Sequence, residues 1–215
     1  NLKFAYLPSL GRVRLRLSST GGNMVLVKDE VEKQLDDLKK LINDIYVGEE
    51  NDGSIEFHIA KMLTNNFKTL SIAESCTGGL ISSIMTSIPG ASKFFKGGVV
   101  AYSNEIKSSI LKISNKMIKK EGVVSSKIAE LMALNIKKIY KSDFSIATTG
   151  NAGPTIGDLK SKLGHVYVAI ASPKGVFVEF YKMGNHRERV IKKTTNKALE
   201  MLFKHLKSVK DYNFE

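Results

Sequence analysis

The sequence contains a single cysteine and no long hydrophobic run, and each of these scarcities excludes a class of protein. Cys76 alone forms neither an internal disulfide framework nor a cysteine-built zinc site, which fits a reducing compartment. No run approaches the ~20 apolar residues of a membrane-spanning helix, and the first residues lack the apolar core of a signal peptide. We therefore expect a soluble, cytoplasmic protein without a membrane partner, whose 215 residues bury one substantial core and at most a small second unit.

The sequence also lacks an initiating methionine, an internal repeat and a low-complexity tract. Because it starts at Asn1, we expect it to be a piece of a longer polypeptide. A preceding part of that polypeptide could carry an organelle-targeting signal, so the cytoplasmic expectation applies to the residues given.

Acidic residues are scarce relative to basic ones, and the net charge of +12 could indicate a polyanionic partner. The basic residues are mostly lysines in helical stretches such as "NKMIKKEG", where acidic residues lie between them and aromatic residues are few. No nucleic-acid-binding motif accompanies them. A solvated basic surface is therefore favoured over a nucleic-acid site. The ordered exception is "GRVRLRLSS", in which Arg12, Arg14 and Arg16 share one face of a strand, a face that is usually solvated.

The chain divides into two parts by composition and periodicity. The first reads as a hairpin turning near Leu10-Gly11 and a helix from about Lys28, which are too few elements for a stable solitary domain. "VGEENDGS" then has charged and turn residues without apolar periodicity, which is typical of a linker. The predicted organisation is a partial α+β domain over 1–47, a linker over 48–53, a main domain over 54–208 and a tail over 209–215.

Strands and helices alternate through the main domain, which predicts an α/β fold. The predicted helices cover 54–64, a segment that opens after the loop at 74–79, 104–113, 125–140 and 187–207, and the predicted strands cover 69–73, 97–102, 144–149, 164–172 and 175–183. Pro173-Lys174-Gly175 joins the last two strands as a short hairpin, which forces one antiparallel strand. The pattern therefore predicts a three-layer α/β/α domain with a mixed sheet of about five strands.

Three loops follow the predicted parallel strands, at the edge of the sheet where ligands bind in open α/β folds. They are "ESCTGG", "SNEIK" and "TGNAGP". Glycines at a helix start let main-chain N–H groups approach an anion or an oxyanion, although such a loop is often only a turn. Ser75 and Cys76 are rival nucleophiles, and a cysteine is more often a small buried hydrophobe.

The base that would activate a nucleophile in these loops is not a histidine, because none of the four histidines lies in them. "SNEIK" supplies Lys107 instead. Most lysines are solvated, but Ser103 or Asn104 can cap the following helix, which places Lys107 in its first turn. The positive end of the helix dipole would there disfavour the ammonium form.

The loops together resemble those of a known family. "AESCTGG", "GGVVAYSNEIK", "TTGNAGP" and "LGHVYVA" are similar, in order and spacing, to motifs of the nicotinamide-nucleotide amidase family, also called the CinA C-terminal domain. The resemblance covers about residues 54–207, with Ser75 and Lys107 32 positions apart as in the family. Residues 1–47 look like the end of the small middle domain that precedes the amidase in long CinA proteins.

The resemblance implies hydrolysis of the carboxamide of nicotinamide mononucleotide to nicotinate mononucleotide and ammonia, with no metal or cofactor. It implies Ser75 as nucleophile, Lys107 as base and Tyr102 as a proton relay or a surface for the pyridine ring. The implied substrate-binding residues are Glu74, Thr77, Gly78, Gly79, Asn104, Thr149, Gly150, Gly153 and Arg187. Main-chain amides of the glycine loop would face the oxyanion or the phosphate, and Arg187 would bind the phosphate. We also expect a homo-oligomer.

The chain departs from the family pattern in two places. It reads "TIGDLKSKLGHV" after "AGP", where the family commonly has a glycine-richer loop, and Ile191 stands where a second arginine is often found. Phosphate binding could then use Lys160, Lys162 or Arg189. The alternative function is an inactive nucleotide-binding or regulatory module of the same fold.

Overall fold

The computed structural model describes residues 2–9, 12–43, 45–49 and 53–209. The predicted turn at Leu10-Gly11, residues 50–52 of the predicted linker and residues 210–215 of the predicted tail lie outside this set. The chain divides into two compact units, Asn1–Glu49 and Glu50–Glu215.

The first unit is a β-hairpin followed by one helix. Strands β1 (Lys3–Ser9) and β2 (Arg12–Ser18) pair antiparallel, and helix α1 covers Met24–Leu41. The predicted start near Lys28 was wrong by one turn, because Asn23 caps the helix: its side chain accepts hydrogen bonds from the N–H groups of Val25 and Leu26.

The second unit alternates helices and strands. Its elements are α2 (Ile55–Asn65), β3 (Leu70–Glu74), α3 (Leu80–Thr86), a short 3-10 helix (Ala91–Lys93), β4 (Phe95–Val100), α4 (Asn104–Ser109), α5 (Asn115–Glu121), α6 (Ser126–Tyr140), β5 (Phe144–Gly150), β6 (His165–Ser172), β7 (Gly175–Lys182) and α7 (Arg187–Lys207). Among the described helices, none is long and apolar enough to cross a bilayer.

The sheet of the second unit confirms the predicted mixed topology. Its strand order is β4-β3-β5-β6-β7, in which β3 pairs parallel with β4 and β5, and β6 is antiparallel to both of its neighbours. Helix α6 packs on one face, where the small residues Ala73, Ala147 and Ala169 let the helix approach the sheet closely. Helices α2, α3 and α7 form the layer on the other side. The three-layer prediction is therefore confirmed.

The helix predicted over 104–113 is shorter than expected, since α4 ends at Ser109. The chain then turns through Lys112, which has a positive φ of 56°, and the N–H of Ile113 bonds back to the carbonyl of Lys107 at 3.1 Å. Ser114 caps the next helix by accepting from the N–H of Met117. This compact turn joins α4 to α5 and bonds back to the main chain of Lys107.

Candidate active site

The carboxyl ends of β3, β4 and β5 meet at one edge of the sheet, and the loops that follow them border a cavity of about 230 Å³. The residues that line it are Ser75, Cys76, Tyr102, Asn104, Val123, Val124, Thr149, Gly150, Asn151, Ala152, Gly153, Thr155, Gly157, Asp158 and Arg187. Seven of the twelve site residues named from the sequence are therefore in its wall: Ser75, Tyr102, Asn104, Thr149, Gly150, Gly153 and Arg187.

Ser75 and Lys107 form the centre of this site. The Nζ of Lys107 lies 3.1 Å from the Oγ of Ser75, although the two residues are 32 positions apart in the chain. Lys107 is fully buried and Ser75 is 8% exposed, so only the serine borders the cavity. The pair thus presents a hydroxyl to the cavity and an amine behind it.

The burial of Lys107 changes its acid–base behaviour. It lowers the pKa of the amine from 10.5 to about 8, because a buried ammonium loses its hydration, and the interaction with Cys76 opposes this shift. The expected contribution of the helix dipole needs correction. Helix α4 has six residues and Lys107 lies in its last turn, so burial is the cause of the lowered pKa.

The Nζ of Lys107 lies within hydrogen-bond distance of three oxygen atoms. Besides Ser75, the carbonyl oxygens of Ala101 at 2.6 Å and Tyr102 at 3.5 Å accept hydrogen bonds from Nζ. A neutral amine has two N–H donors and one lone pair. As an ammonium, Lys107 can donate to all three oxygens; once it is deprotonated, its two donors can stay on the carbonyls while its lone pair accepts from the hydroxyl of Ser75, as a general base requires.

Cys76, the rival nucleophile, has a different environment. Its thiol is buried, and burial raises its pKa to about 12. The thiolate is the reactive form of cysteine, so this thiol is almost entirely unreactive near neutral pH. The two neighbouring residues therefore differ in their side-chain partners: Ser75 has the Lys107 amine within hydrogen-bond distance, whereas the thiol of Cys76 has a side-chain hydrogen bond with Thr148.

The turn after Ser75 differs from the sequence-based interpretation. Gly78 and Gly79 have positive φ values of 64° and 99°, which an ordinary side chain would disfavour. The N–H of Gly78 bonds to the carbonyl of Ser75, and the N–H of Gly79 bonds to the carboxylate of Glu74. These two amides are already engaged within the turn, which corrects the expectation that they face an oxyanion or a phosphate.

Glu74 and Thr77 are also directed into the protein rather than toward a ligand. Glu74 is fully buried, and its carboxylate accepts hydrogen bonds from the start of α3. The hydroxyl of Thr77 lies 2.8 Å from that of Thr148, and both residues are buried. The structure thus places Glu74, Thr77, Gly78 and Gly79 outside the lining of the cavity.

Arg187 spans the rim of the cavity at the first residue of α7. Its guanidinium donates to the carbonyl of Gly153 and to the phenol oxygen of Tyr102, both at 2.7 Å. Tyr102 itself is 58% exposed. The phenol is therefore held by the arginine, and an anion bound here would exchange these two neutral acceptors for a charged one.

The part of the chain that contains this site matches a known protein family. A family model described as "CinA C-terminal domain" matches residues 52–206. The chain belongs to the CinA C-terminal domain family. Over 212 residues it is 48% identical to a CinA-like protein of Flavobacterium psychrophilum, covering 99% of this chain and 50% of that protein. A CinA-like protein of Fervidobacterium nodosum is 42% identical over 179 residues, which are 82% of this chain and 43% of that one.

Solved structures agree with the family assignment. The competence/damage inducible protein CihA of Agrobacterium tumefaciens superposes with a TM-score of 0.67 at 32% identity, over 73% of this chain and 97% of that one. The competence damage-inducible protein A (ComA) of Klebsiella pneumoniae gives 0.69 at 26% identity, with the same two coverages. The chain spans about half the length of the curated relatives it matches.

Sequence reasoning missed part of the wall of this CinA domain. Asn151 lines the cavity, and its amide holds the 152–162 loop by donating to the carbonyls of Asp158 and Ser161. Asp158 lines it too, and its carboxylate accepts from the N–H of Val124. Asn151 could have been noticed within "TGNAGP", whereas nothing local singles out Asp158, whose partner lies 34 positions away.

Lys160, one of the alternative phosphate ligands, has another role. Its ammonium donates to the carbonyls of Lys119 and Lys120 at 2.6 and 2.8 Å. These carbonyls belong to the C-terminal end of α5, where a cation is favoured by the helix dipole. Lys160 therefore ties the 152–162 loop to α5, and the proposal that it binds phosphate is corrected.

Proposed function

We propose that this chain hydrolyses the carboxamide of nicotinamide mononucleotide to nicotinate mononucleotide and ammonia, without a metal or a cofactor. The observation that carries the proposal is the buried amine of Lys107, with its pKa near 8, at 3.1 Å from the hydroxyl of Ser75. A lysine of lowered pKa beside a serine is the arrangement that activates a hydroxyl without histidine. The substrate itself is inferred from the family resemblance.

In the proposed reaction, the Oγ of Ser75 attacks the carboxamide carbon while its proton moves to the neutral amine of Lys107. The tetrahedral intermediate then collapses, the C–N bond breaks, and the Lys107 ammonium returns the proton to the departing ammonia. Water next attacks the acyl-serine ester, again losing a proton to Lys107. Lys107 then returns this proton to the Oγ of Ser75 as the ester C–O bond breaks, so that Ser75 and Lys107 regain their starting states. The acid that is formed passes its proton to ammonia, and the products are a carboxylate and ammonium.

The oxyanion of that intermediate needs donors, and the engaged amides of Gly78 and Gly79 do not offer them. We assign this role to the main-chain N–H of Cys76, the residue after the nucleophile, which lines the cavity. The buried thiol of Cys76 then has a packing role, since its Sγ would lie only 3.2 Å from a Cβ added at Gly150.

The phosphate is assigned to Arg187 rather than to the glycine loop. The guanidinium is at the cavity rim, and its present partners are a carbonyl and a phenol. Asn104 and Tyr102 line the same side of the cavity and are available to the ribose and the pyridine ring. Arg187 is thus proposed to exchange neutral acceptors for the phosphate when the nucleotide binds.

The test is ammonia release by the purified chain incubated with nicotinamide mononucleotide, with and without excess chelator. We expect full turnover in chelator and none from Ser75→Ala. Activity that is lost in chelator and restored by zinc or magnesium would contradict the metal-independent mechanism. Binding of the nucleotide without ammonia release would favour the alternative, an inactive nucleotide-binding module.

A further inference from the structure

Glu74, the last residue of β3, is joined by its side chain to the helix that follows the nucleophile turn. It is fully buried. One carboxylate oxygen accepts from the N–H of Gly79 at 3.0 Å and of Ile81 at 3.1 Å. The other accepts from the N–H of Ser82 at 2.8 Å and from its hydroxyl at 2.7 Å. The carboxylate therefore supplies the acceptors that the first turn of α3 lacks.

The main chain of Glu74 is joined to the lysine side of the site. Its carbonyl accepts from the N–H of Ala101 at 2.7 Å. The carbonyl of Ala101 in turn accepts from the Nζ of Lys107 at 2.6 Å. Glu74 is thus connected to both partners of the reacting pair, through α3 to the turn that begins at Ser75 and through Ala101 to the amine of Lys107.

We propose that Glu74 is a positioning residue: by holding α3 against the end of β3, it fixes the Ser75–Gly79 turn and keeps the Ser75 hydroxyl at reacting distance from Lys107. This inference rests on the proposed Ser75/Lys107 chemistry but not on the identity of the substrate. It replaces the substrate-binding role expected from the sequence, since Glu74 lies outside the lining of the cavity.

The arrangement requires a carboxylate rather than an amide. All four partners of Glu74 are donors, two at each oxygen. A glutamine has one acceptor oxygen, and its NH₂ group would face at least one main-chain N–H, so Glu74→Gln breaks at least one bond and sets two donors against each other at almost unchanged volume. The hydroxyl of Ser82 fits in this position because residue 98 is a glycine: a Cβ added at Gly98 would lie 2.7 Å from the Oγ of Ser82.

The experiment measures the reactivity of Ser75 directly, with a fluorophosphonate probe in which Oγ displaces fluoride from phosphorus. We expect Glu74→Gln to lower the labelling rate by about 10- to 100-fold, the range typical of a small displacement of a reacting group. In the ammonia assay, kcat should fall by a similar factor while KM changes less than about threefold. Ser82→Ala, which removes one of the four bonds, should slow labelling by roughly threefold or more.

The matched control is Ser145→Ala in β5. It removes a buried hydrogen bond of 2.7 Å to the carbonyl of Ala133 without touching the nucleophile turn. Thermal unfolding of each variant is recorded, and Ser145→Ala should label within about twofold of the wild type at temperatures where both are folded. A loss confined to the Glu74 and Ser82 variants then separates positioning from general stability.

Each possible result of these measurements supports or contradicts the positioning role of Glu74. A folded Glu74→Gln variant that labels within twofold of the wild type overturns it, as does a rise in KM at unchanged kcat. If Glu74→Gln does not fold, Ser82→Ala decides, and an unchanged labelling rate counts against positioning. A wild type that labels at Ser75 but releases no ammonia contradicts the proposed function while the labelling arms still test Glu74. If the wild type releases ammonia without labelling at Ser75, the kcat of Glu74→Gln decides, and an unchanged kcat overturns the inference.

Discussion

At the scale of single residues, the environment of a side chain separates two adjacent candidates for the same chemistry. Ser75 has the Lys107 amine at 3.1 Å, whereas the Cys76 thiol has a pKa raised to about 12 by burial. A thiolate is intrinsically the stronger nucleophile, but a thiol with this pKa is rarely ionised near neutrality. Reactivity is therefore decided by the surroundings of the two atoms rather than by their chemical type.

The first prediction follows from this difference. Ser75→Ala should lower turnover by several orders of magnitude, because the nucleophile is removed, and Cys76→Ser should cost at most about tenfold. Ammonia release measured under saturating nucleotide gives both values. Loss of activity on thiol alkylation, together with a Ser75→Ala variant that is still active, would identify Cys76 as the nucleophile.

The second prediction concerns pH. The reactive form of Lys107 is the neutral amine, and the pKa is about 8, so activity should rise with pH up to about 8 and level off above 9. Below pH 7 the rate should fall about tenfold per pH unit, because the neutral fraction does so. The pH profile of kcat/KM for the free enzyme is the measurement. A flat profile between pH 6 and 9 would contradict the role of base.

Lys107→Arg provides the matched variant for this prediction. A guanidinium keeps the positive charge but does not give up a proton, so the variant should be nearly as inactive as Lys107→Ala. Circular dichroism establishes that it is folded. A folded Lys107→Arg variant that keeps most of its turnover would show that Lys107 supplies charge or position rather than a lone pair.

At the scale of secondary-structure elements, the ends of three helices near the site differ in the charged group that each of them contacts or carries. The N-terminus of α3 is occupied from within by the Glu74 carboxylate, and the C-terminus of α5 is occupied by the ammonium of Lys160. The N-terminus of α7 instead carries Arg187, which borders the cavity. An anionic substrate group is therefore expected at α7, where an exchangeable cation and a helix N-terminus coincide.

The third prediction tests that placement. Nicotinamide riboside lacks only the phosphate, so it should be a poorer substrate than the mononucleotide by about 100-fold in kcat/KM, as expected for one lost charge-assisted contact. Arg187→Ala should reduce kcat/KM for the mononucleotide much more than for the riboside. Arg189→Ala is the control, because this exposed arginine on the same helix lies outside the cavity lining. If Arg187→Ala lowered kcat/KM equally for the two substrates, the assignment of the phosphate to Arg187 would be contradicted.

At the scale of the whole chain, the candidate active site belongs to the second compact unit. Every residue that lines the cavity lies within Glu50–Glu215, and so does the five-stranded sheet that positions them. The first unit, Asn1–Glu49, consists of one hairpin and one helix, and none of the residues described in that helix is buried. The two units are therefore expected to be separable in function.

The fourth prediction follows from this division. A chain beginning at Glu50 should fold, with a cooperative thermal transition, and should keep kcat within about twofold of the 215-residue chain, because it retains one complete hydrophobic core. The comparison is made with the longer chain at equal concentration. Sedimentation of both chains also tests the expected homo-oligomer. A folded fragment that lacks turnover would show that residues 1–49 contribute to the site.

Much of the fold could be read from the sequence because its signals are local. Alternating helical and strand periodicity indicated the α/β class, and the short turn between the last two strands, which has two residues in the structure, required a mixed sheet. Helix α7 covers the residues predicted for it. Boundaries shifted where one side chain decided them: the Asn23 cap moved the start of α1 to Met24, and the turn at Lys112 ended α4 early.

The sequence by itself determined which residue types stand at the ends of the parallel strands, and so the pairing of a serine with a lysine. Only the tertiary structure decided the surroundings of each of them. The burial that lowers the pKa of Lys107, the engagement of Glu74 with α3 and the contact of Arg187 with Tyr102, 85 positions away, depend on segments that the fold brings together. Local periodicity carries no information about such partners, because desolvation and hydrogen bonding depend on distances in space rather than along the chain.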